Sequence, residues 1–312
     1  MFRVCMFFLC TILLSCRSEQ DPANVSAPTN SVTFAIPPTM EPFAEFYRTG
    51  LPDITFSFTQ SAGWLANVDN LQSGVVDVAF TQSDIAYTAV TKGTEVDATP
   101  HTNLRGLAVM WLELVHLIVG PRVDFRSIQD LRGKRIGIGP PRSGTGVTAQ
   151  IILAQSRISL SEVHLVRVPS AEVPLHLADG TIDAAFVTGA LPEDVVTAAL
   201  AVPGTRLVPI DESDISNLRA NYPFLRQVVI PGKSYGLAQD IHTVGVDILF
   251  ICHENLSEDR VYRMLTTFFD GIQELAQKQR MFESVSLHRA PTTPIPLHPG
   301  AARFYRERQL FN

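Results

Sequence analysis

The sequence predicts an α/β protein made of two similar lobes with a ligand cleft between them, on three observations. Short β-like runs alternate with helical patterns along most of the 312 residues. One pattern, Leu-x-x-Gly-x-x-Asp-x-Ala-Phe, occurs from Leu71 and again from Leu177. Polar residues follow each copy at the carboxyl end of its strand, where open α/β sheets hold their ligands. At 46% hydrophobic the chain can bury a sizeable core. A formal charge of −6 without any basic run excludes nucleic acid, whose binding needs clustered Lys and Arg.

The chain begins "MFRVCMFFLCTILLSCRSEQ", one Arg followed by an apolar run from Val4 to Leu14. Spanning a bilayer takes about 20 apolar residues, so this run has the length of an export signal instead. Leu13-Leu14-Ser15-Cys16 resembles the lipobox of bacterial lipoproteins, which implies cleavage of residues 1–15 and acylation of Cys16. Leu14 is bulkier than the small residue usual there, which leaves plain secretion as the alternative. A buried N-terminal helix fits poorly, because the polar, Pro- and Ser-containing residues 16–31 suit a flexible tether. With Cys5 and Cys10 removed and Cys16 acylated, Cys252 is the one free thiol, set in an apolar run that suits packing.

Seven runs read as strands: "SVTFAI", "ITFSF", "VVDVAF", "LVHLIVG", "KRIGIG", "VHLVRV" and "TIDAAFV". Their alternation with helices predicts largely parallel sheets. "GLAVMWLELVHLIVG" (106–120) is too short for a membrane span and carries Glu113 and His116, so it reads as buried strand. Each copy of the repeated pattern reads as a helix end, a Gly stop and a buried strand. Asp77 and Asp183 within them suit structural hydrogen bonding better than acid–base work. Beyond the two Ala-Phe pairs, Gln82, Ser83 and Asp84 face Thr188 and Gly189 across the expected cleft. Helix capping by Ser83 or Asp84 is the competing role, and it is compatible with ligand contact.

"IGIGPPRSGTGVTAQ" (136–150) has the Gly139–Gly144 spacing of a P-loop, but Thr145 stands where the Lys should be. A helix starting at Ser143 to Gly146 still presents N–H groups and partial positive charge, which suits a carboxylate. Gly144 allows close approach, and Ser143 and Thr145 add hydroxyls. Val147, Ile151 and Ala154 are expected to form the packing face. Arg142 is placed either to pair with a carboxylate or to project into solvent. Trp64 is either a pocket wall or lobe core, and Gln60 and Ser61 end a strand where they could donate hydrogen bonds. A capped turn that binds nothing is the alternative for the whole segment.

Five blocks, "FTQSDIAY", "GPPRSGT", "FVTGALP", "YPFLRQVVIPGKSYG" and "PIPLHPGAARFYRE", resemble, in order, those of the TAXI family of solute receptors of TRAP (tripartite ATP-independent periplasmic) transporters. The resemblance implies the type II periplasmic-binding-protein fold, with 32–118 and 241–312 as lobe I and 119–240 as lobe II. It implies a membrane-anchored extracytoplasmic receptor that hands a small organic anion, a carboxylate or an amino acid such as glutamate, to a TRAP-type membrane permease without a cofactor. Tyr235 matches a family Tyr near the return to lobe I, as ligand contact or hinge. "AIPPTMEPFAEFYRTG" (35–50) departs from the family's Gly-rich opening: two prolines replace glycines and Glu41 adds charge. The altered segment keeps open a sensor or interaction lipoprotein of the same fold. A lyase or transferase on the same fold is a third option. Against enzymes, the chain has no Gly-x-Ser-x-Gly elbow, His-Glu-x-x-His or Cys-x-x-Cys. The acidic run "DESD" (211–214) lacks a calcium-loop glycine and reads as a solvated turn.

Overall fold

A computed structural model describes residues 30–310; the expected signal, Cys16 and nearly all of the tether lie outside the described residues. In chain order the regular elements are β1 (Ser31–Ile36), α1 (Glu41–Gly50), β2 (Thr55–Gln60), α2 (Trp64–Gln72), β3 (Val78–Gln82), α3 (Ser83–Lys92) and β4 (Leu104–Val119). Then come β5 (Arg135–Gly137), α4 (Gly144–Gln155), β6 (His164–Val166), α5 (Val173–Asp179), β7 (Ala184–Gly189), α6 (Asp194–Leu200) and β8 (Arg206–Val208). The chain finishes with α7 (Glu212–Asn221), β9 (Arg226–Ile230), β10 (Ile241–His253), α8 (Glu258–Lys278) and α9 (Pro299–Glu307).

One sheet runs through the molecule in the order β2-β1-β3-β10-β4-β7-β5-β6, with β8 added to β4 and β9 to β10. The expectation of largely parallel sheets is corrected here. β1 pairs in parallel with β2 and β3, and β5 with β6 and β7. Every pairing of β4 and β10 with another strand is antiparallel. These two long strands occupy the middle of the sheet, and their length lets each serve both ends. On β10, Ile248 and Phe250 enter one apolar cluster and Leu249 and Ile251 another, whereas Val244 and Val246 enter a third. Strand periodicity of two explains the alternation, and helices on both faces explain why residues 248–252 are all apolar.

The clusters fall in two pairs. At one end Val32, Phe34, Val78 and Phe80 pack under α1, α8 and α9, while Ala35 and Ala79 pack under α2 and α3. At the other, Ile136, Ala184 and Phe186 pack with α4 and α7, while Ala185 and Val187 pack with α5 and α6. Cys252 is fully buried in the first cluster, and burial pushes its thiol far up.

The repeated pattern does the same work twice. Gly74 and Gly180 both take left-handed backbone, φ 72° and 76°, just after α2 and α5. Asp77 accepts from the Thr33 amide at 2.7 Å and Asp183 from the Arg135 amide at 2.9 Å. Each Asp amide donates back, Asp77 to the Thr33 carbonyl and Asp183 to the Arg135 carbonyl. Each carboxylate thereby fixes the start of a neighbouring parallel strand, the structural role read from sequence.

Two local expectations are corrected. Residues 211–214 open α7, with Asp211 at the N-cap and Glu212 and Asp214 in the first turn, where carboxylates favour the positive helix end. The buried face of α4 runs through Thr148, Ala149, Ile152 and Leu153, and Ala154 is exposed. That helix is apolar on several sides, so its sequence pattern did not single out a face.

Candidate functional site

A cleft of about 310 Å³ opens where α2, β4, α4 and β7 converge, lined by Pro37, Ser61, Gly63, Trp64, Glu113, Pro140, Ser143, Gly144, Thr145, Ser170 and Thr188. Six residues singled out in the sequence are among these: Ser61, Trp64, Ser143, Gly144, Thr145 and Thr188. The cleft is small and suits a compact polar solute.

Its floor is the start of α4. Ser143 caps the helix, its Oγ accepting from the Gly146 amide at 3.2 Å. Thr145 Oγ1 and Thr188 Oγ1 are hydrogen-bonded at 2.7 Å, joining α4 to the end of β7. On the facing wall, Ser61 donates to Asn67 Oδ1 at 2.8 Å, and Asn67 donates to the Phe80 carbonyl at 2.8 Å. Asn67 thus ties the strand ends of β2 and β3 together. Trp64 answers both of its readings, since it packs against two apolar clusters and also forms cleft wall.

Gln82 lies beneath the cleft, fully buried. Its Nε2 donates to Glu113 Oε2 at 3.0 Å and stands 3.5 Å from Thr188 Oγ1. Its Oε1 is buried with no hydrogen-bond partner among the described residues. A Cβ built on Gly144 would lie 1.9 Å from that oxygen and 2.6 Å from the Trp64 ring, so only glycine fits there. Gly144 serves close approach between two parts of the protein.

Glu113 was not among the expected site residues, although an acid inside an apolar strand was its visible signal. Burial, with smaller contributions from Glu193 and Asp84, raises its carboxyl to about 7; the Gln82 hydrogen bond opposes the shift. Glu113 is the one charged side chain among the cleft-lining residues. Asp84, fully buried, accepts from Thr148 Oγ1 at 2.6 Å and is raised to about 6 by its burial.

Besides Gln82, four expected residues do not line the cleft. Arg142, with left-handed backbone at φ 63°, pairs with the Asp69 carboxylate of α2 and keeps part of its side chain in solvent. Gln60 is exposed at the end of edge strand β2. Gly189 is covered by Glu193, whose carboxylate lies where a Cβ would go. Tyr235 Oη accepts from the Glu193 amide at 2.8 Å and contacts His116 Nε2 at 2.9 Å. His116 Nδ1 faces the Val187 carbonyl at 3.3 Å, and burial holds the imidazole down at about 4. A carbonyl only accepts, so Nδ1 carries the proton and Nε2 accepts from the Tyr235 hydroxyl. Tyr235 therefore ties the segment before α6 to His116 of β4. Among the described residues no group of His, Cys, Asp and Glu is arranged to hold a metal, and no helix is long and apolar enough to cross a membrane.

A model of the NMT1-like family matches residues 41–308. An ATP-bound protein from Xanthomonas citri superposes with a TM-score of 0.59 at 10% identity, covering 90% of this chain and 98% of that one. A binding-protein component of an ABC phosphonate transporter from Pseudomonas aeruginosa gives a TM-score of 0.50 at 13% identity, covering 90% and 85%. These likenesses are of fold, a mixed α/β sheet with helices on both faces in the two-lobed periplasmic-binding-protein arrangement.

Proposed function

This chain belongs to the NMT1-like family, and from that premise we propose that it is an extracytoplasmic solute receptor of the TRAP type that captures an amino acid and delivers it to a membrane permease. The observation that carries the choice of ligand is the pairing of opposite features in one cleft. The start of α4, with the Thr145 and Thr188 hydroxyls, suits a carboxylate. Glu113, beside the unpartnered Gln82 Oε1, suits an ammonium group. A simple organic anion would meet Glu113 with no cleft-lining cation to offset it, so the proposal narrows from carboxylates in general to amino acids.

In this reading 32–118 with 241–312 and 119–240 move as two bodies about β4 and β10. Contacts between the two ranges include Arg142–Asp69, Thr148–Asp84 and the packing of Gly144 on Gln82. Ligand contacts from both sides would favour this closed arrangement. Residues 1–15 serve as signal and Cys16 carries the lipid anchor. Pro37, which lines the cleft where the resembled family has glycine-rich backbone, favours a second reading, a sensor that binds the same class of ligand without a permease.

Thermal-shift titration of the full chain in detergent against α-amino acids, their deaminated acids and their decarboxylated amines tests the ligand assignment. Stabilisation by at least one amino acid and by neither truncated form is expected. A ligand at a hundredfold over its dissociation constant adds about 2.7 kcal/mol. Stabilisation by deaminated acids as strong as by the amino acid would overturn the role of Glu113, and no shift from any of them would overturn the cleft. Ligand-dependent uptake in vesicles holding a TRAP-type permease together with this chain separates transport from sensing.

A further inference from the structure

A second cavity, of about 210 Å³, lies apart from the cleft, walled by the start of α3, the beginning of β9, the middle of β10 and the loop after α8. Two guanidinium groups meet one carboxylate in it. Arg289 donates to both oxygens of Asp247, at 3.0 and 2.8 Å. Arg226 Nη1 stands 3.6 Å from the same carboxylate. Asp247 is 7% exposed, whereas both arginine side chains keep access to solvent. Two positive charges against one negative leave the cavity with an excess of one positive charge.

The second observation comes from the opposite wall. Ser83, the first residue of α3, lines this cavity and is 1% exposed. Its Oγ is buried with no hydrogen-bond partner among the described residues. Leaving such a hydroxyl unsatisfied costs about 1–3 kcal/mol, so an unpaired one facing a cationic cavity points to a guest. The preceding Gln82 makes no side-chain cap, and the first turn of α3 adds partial positive charge on the same side. The pairing of β10 with β4 also shifts register between Asp247 and Leu249, an irregularity of the kind that re-aims side chains.

We propose that this cavity is an anion site for phosphate in its singly charged, proton-bearing form, held by Arg226, Arg289 and Ser83, with Asp247 accepting the P–OH proton. One negative charge balances the excess, and the guanidiniums and the serine hydroxyl supply donors to the bare oxygens. Asp247 gives the site its selectivity. Sulfate is fully deprotonated at neutral pH, so its oxygens would face the carboxylate without a proton between them. The site stands independently of the amino-acid reading of the cleft. Because Arg226 and Arg289 belong to the two ranges expected to move apart, a bound phosphate would brace them from the side of β10.

Isothermal titration calorimetry of the full chain with inorganic phosphate, and separately with sulfate, at matched ionic strength tests the proposal. One saturable phosphate per chain is expected, with sulfate at least about tenfold weaker. Arg226→Gln should weaken phosphate by roughly tenfold or more, and Ser83→Ala by severalfold. These two variants leave the Arg289–Asp247 pair intact, so neither strips Asp247 of its closest partner, and circular dichroism confirms their folding. Absence of saturable phosphate binding, sulfate bound as tightly as phosphate, or phosphate binding unchanged in both variants would each overturn the assignment.

Discussion

Glu113 and Asp84 are carboxylates whose charge the protein disfavours, and each predicts its own pH dependence. Glu113 is raised to about 7, so below that pH an incoming ammonium must displace a proton. Amino-acid affinity should fall by up to about tenfold for each pH unit below 7. Glu113→Gln should weaken binding and flatten this profile, which calorimetry from pH 5.5 to 8 reads directly. Asp84 holds its proton to about pH 6 when folded against an ordinary value of 3.8. Its contribution to stability is therefore full below about pH 4 and is lost as pH rises through 6, a difference of about 3 kcal/mol. Denaturant unfolding of the Asp84→Asn variant against the parent between pH 4 and 7 should show that difference, with the variant gaining relative stability at the higher pH. Tyr235→Phe tests another residue. It strips a partner from the Glu193 amide and from His116 Nε2, so stability should drop by about 1–3 kcal/mol while ligand affinity stays within severalfold.

At the scale of elements, the start of α4 is the most exacting piece of the cleft. Gly144→Ala would drive a methyl group into Gln82 Oε1 and Trp64, so α4 could not sit against α2 and β3. Ligand affinity should fall by at least about tenfold with the helix itself intact, measured by calorimetry beside circular dichroism. This segment was legible in the sequence because cap, glycine and hydroxyls are contiguous and each has a local reason to be there. The Leu-x-x-Gly-x-x-Asp-x-Ala-Phe pattern was legible for the same reason, down to the structural part played by its Asp. What stayed hidden depends on partners distant in the chain. Glu113 joins the cleft lining where Gln82 meets it, and Arg142 pairs with Asp69, 73 residues away in the chain. Strand direction was hidden too, since the runs that form β4 and β10 look like any buried strand until their neighbours are known.

For the molecule as a whole, the proposed two-body motion would have its closed arrangement held by the contacts of α4 and its approach loop with α2, β3 and α3. Replacing Arg142 with Ala removes the ion-pair partner of the largely buried Asp69 and leaves it only the Thr94 hydroxyl among the side-chain partners described. Scattering measurements on the ligand-free variant should show a larger radius of gyration than the parent, and saturating amino acid should restore it. An unchanged radius would show that the remaining contacts suffice to hold the lobes. The central position of β10 bears on how the chain comes into being. Its neighbours β3 and β4 lie far upstream, and neither end of the sheet is complete until residues 241–253 have been inserted between them. A nascent chain that has released β1 to β9 still carries two unpaired apolar strand edges at its centre, the state most prone to association with other chains. Truncation just before Ile241 should therefore yield a protease-sensitive, aggregating fragment rather than one folded half. Under the export proposed above, this delay would be an advantage: the late position of β10 would postpone completion of the sheet until the strands before it had emerged.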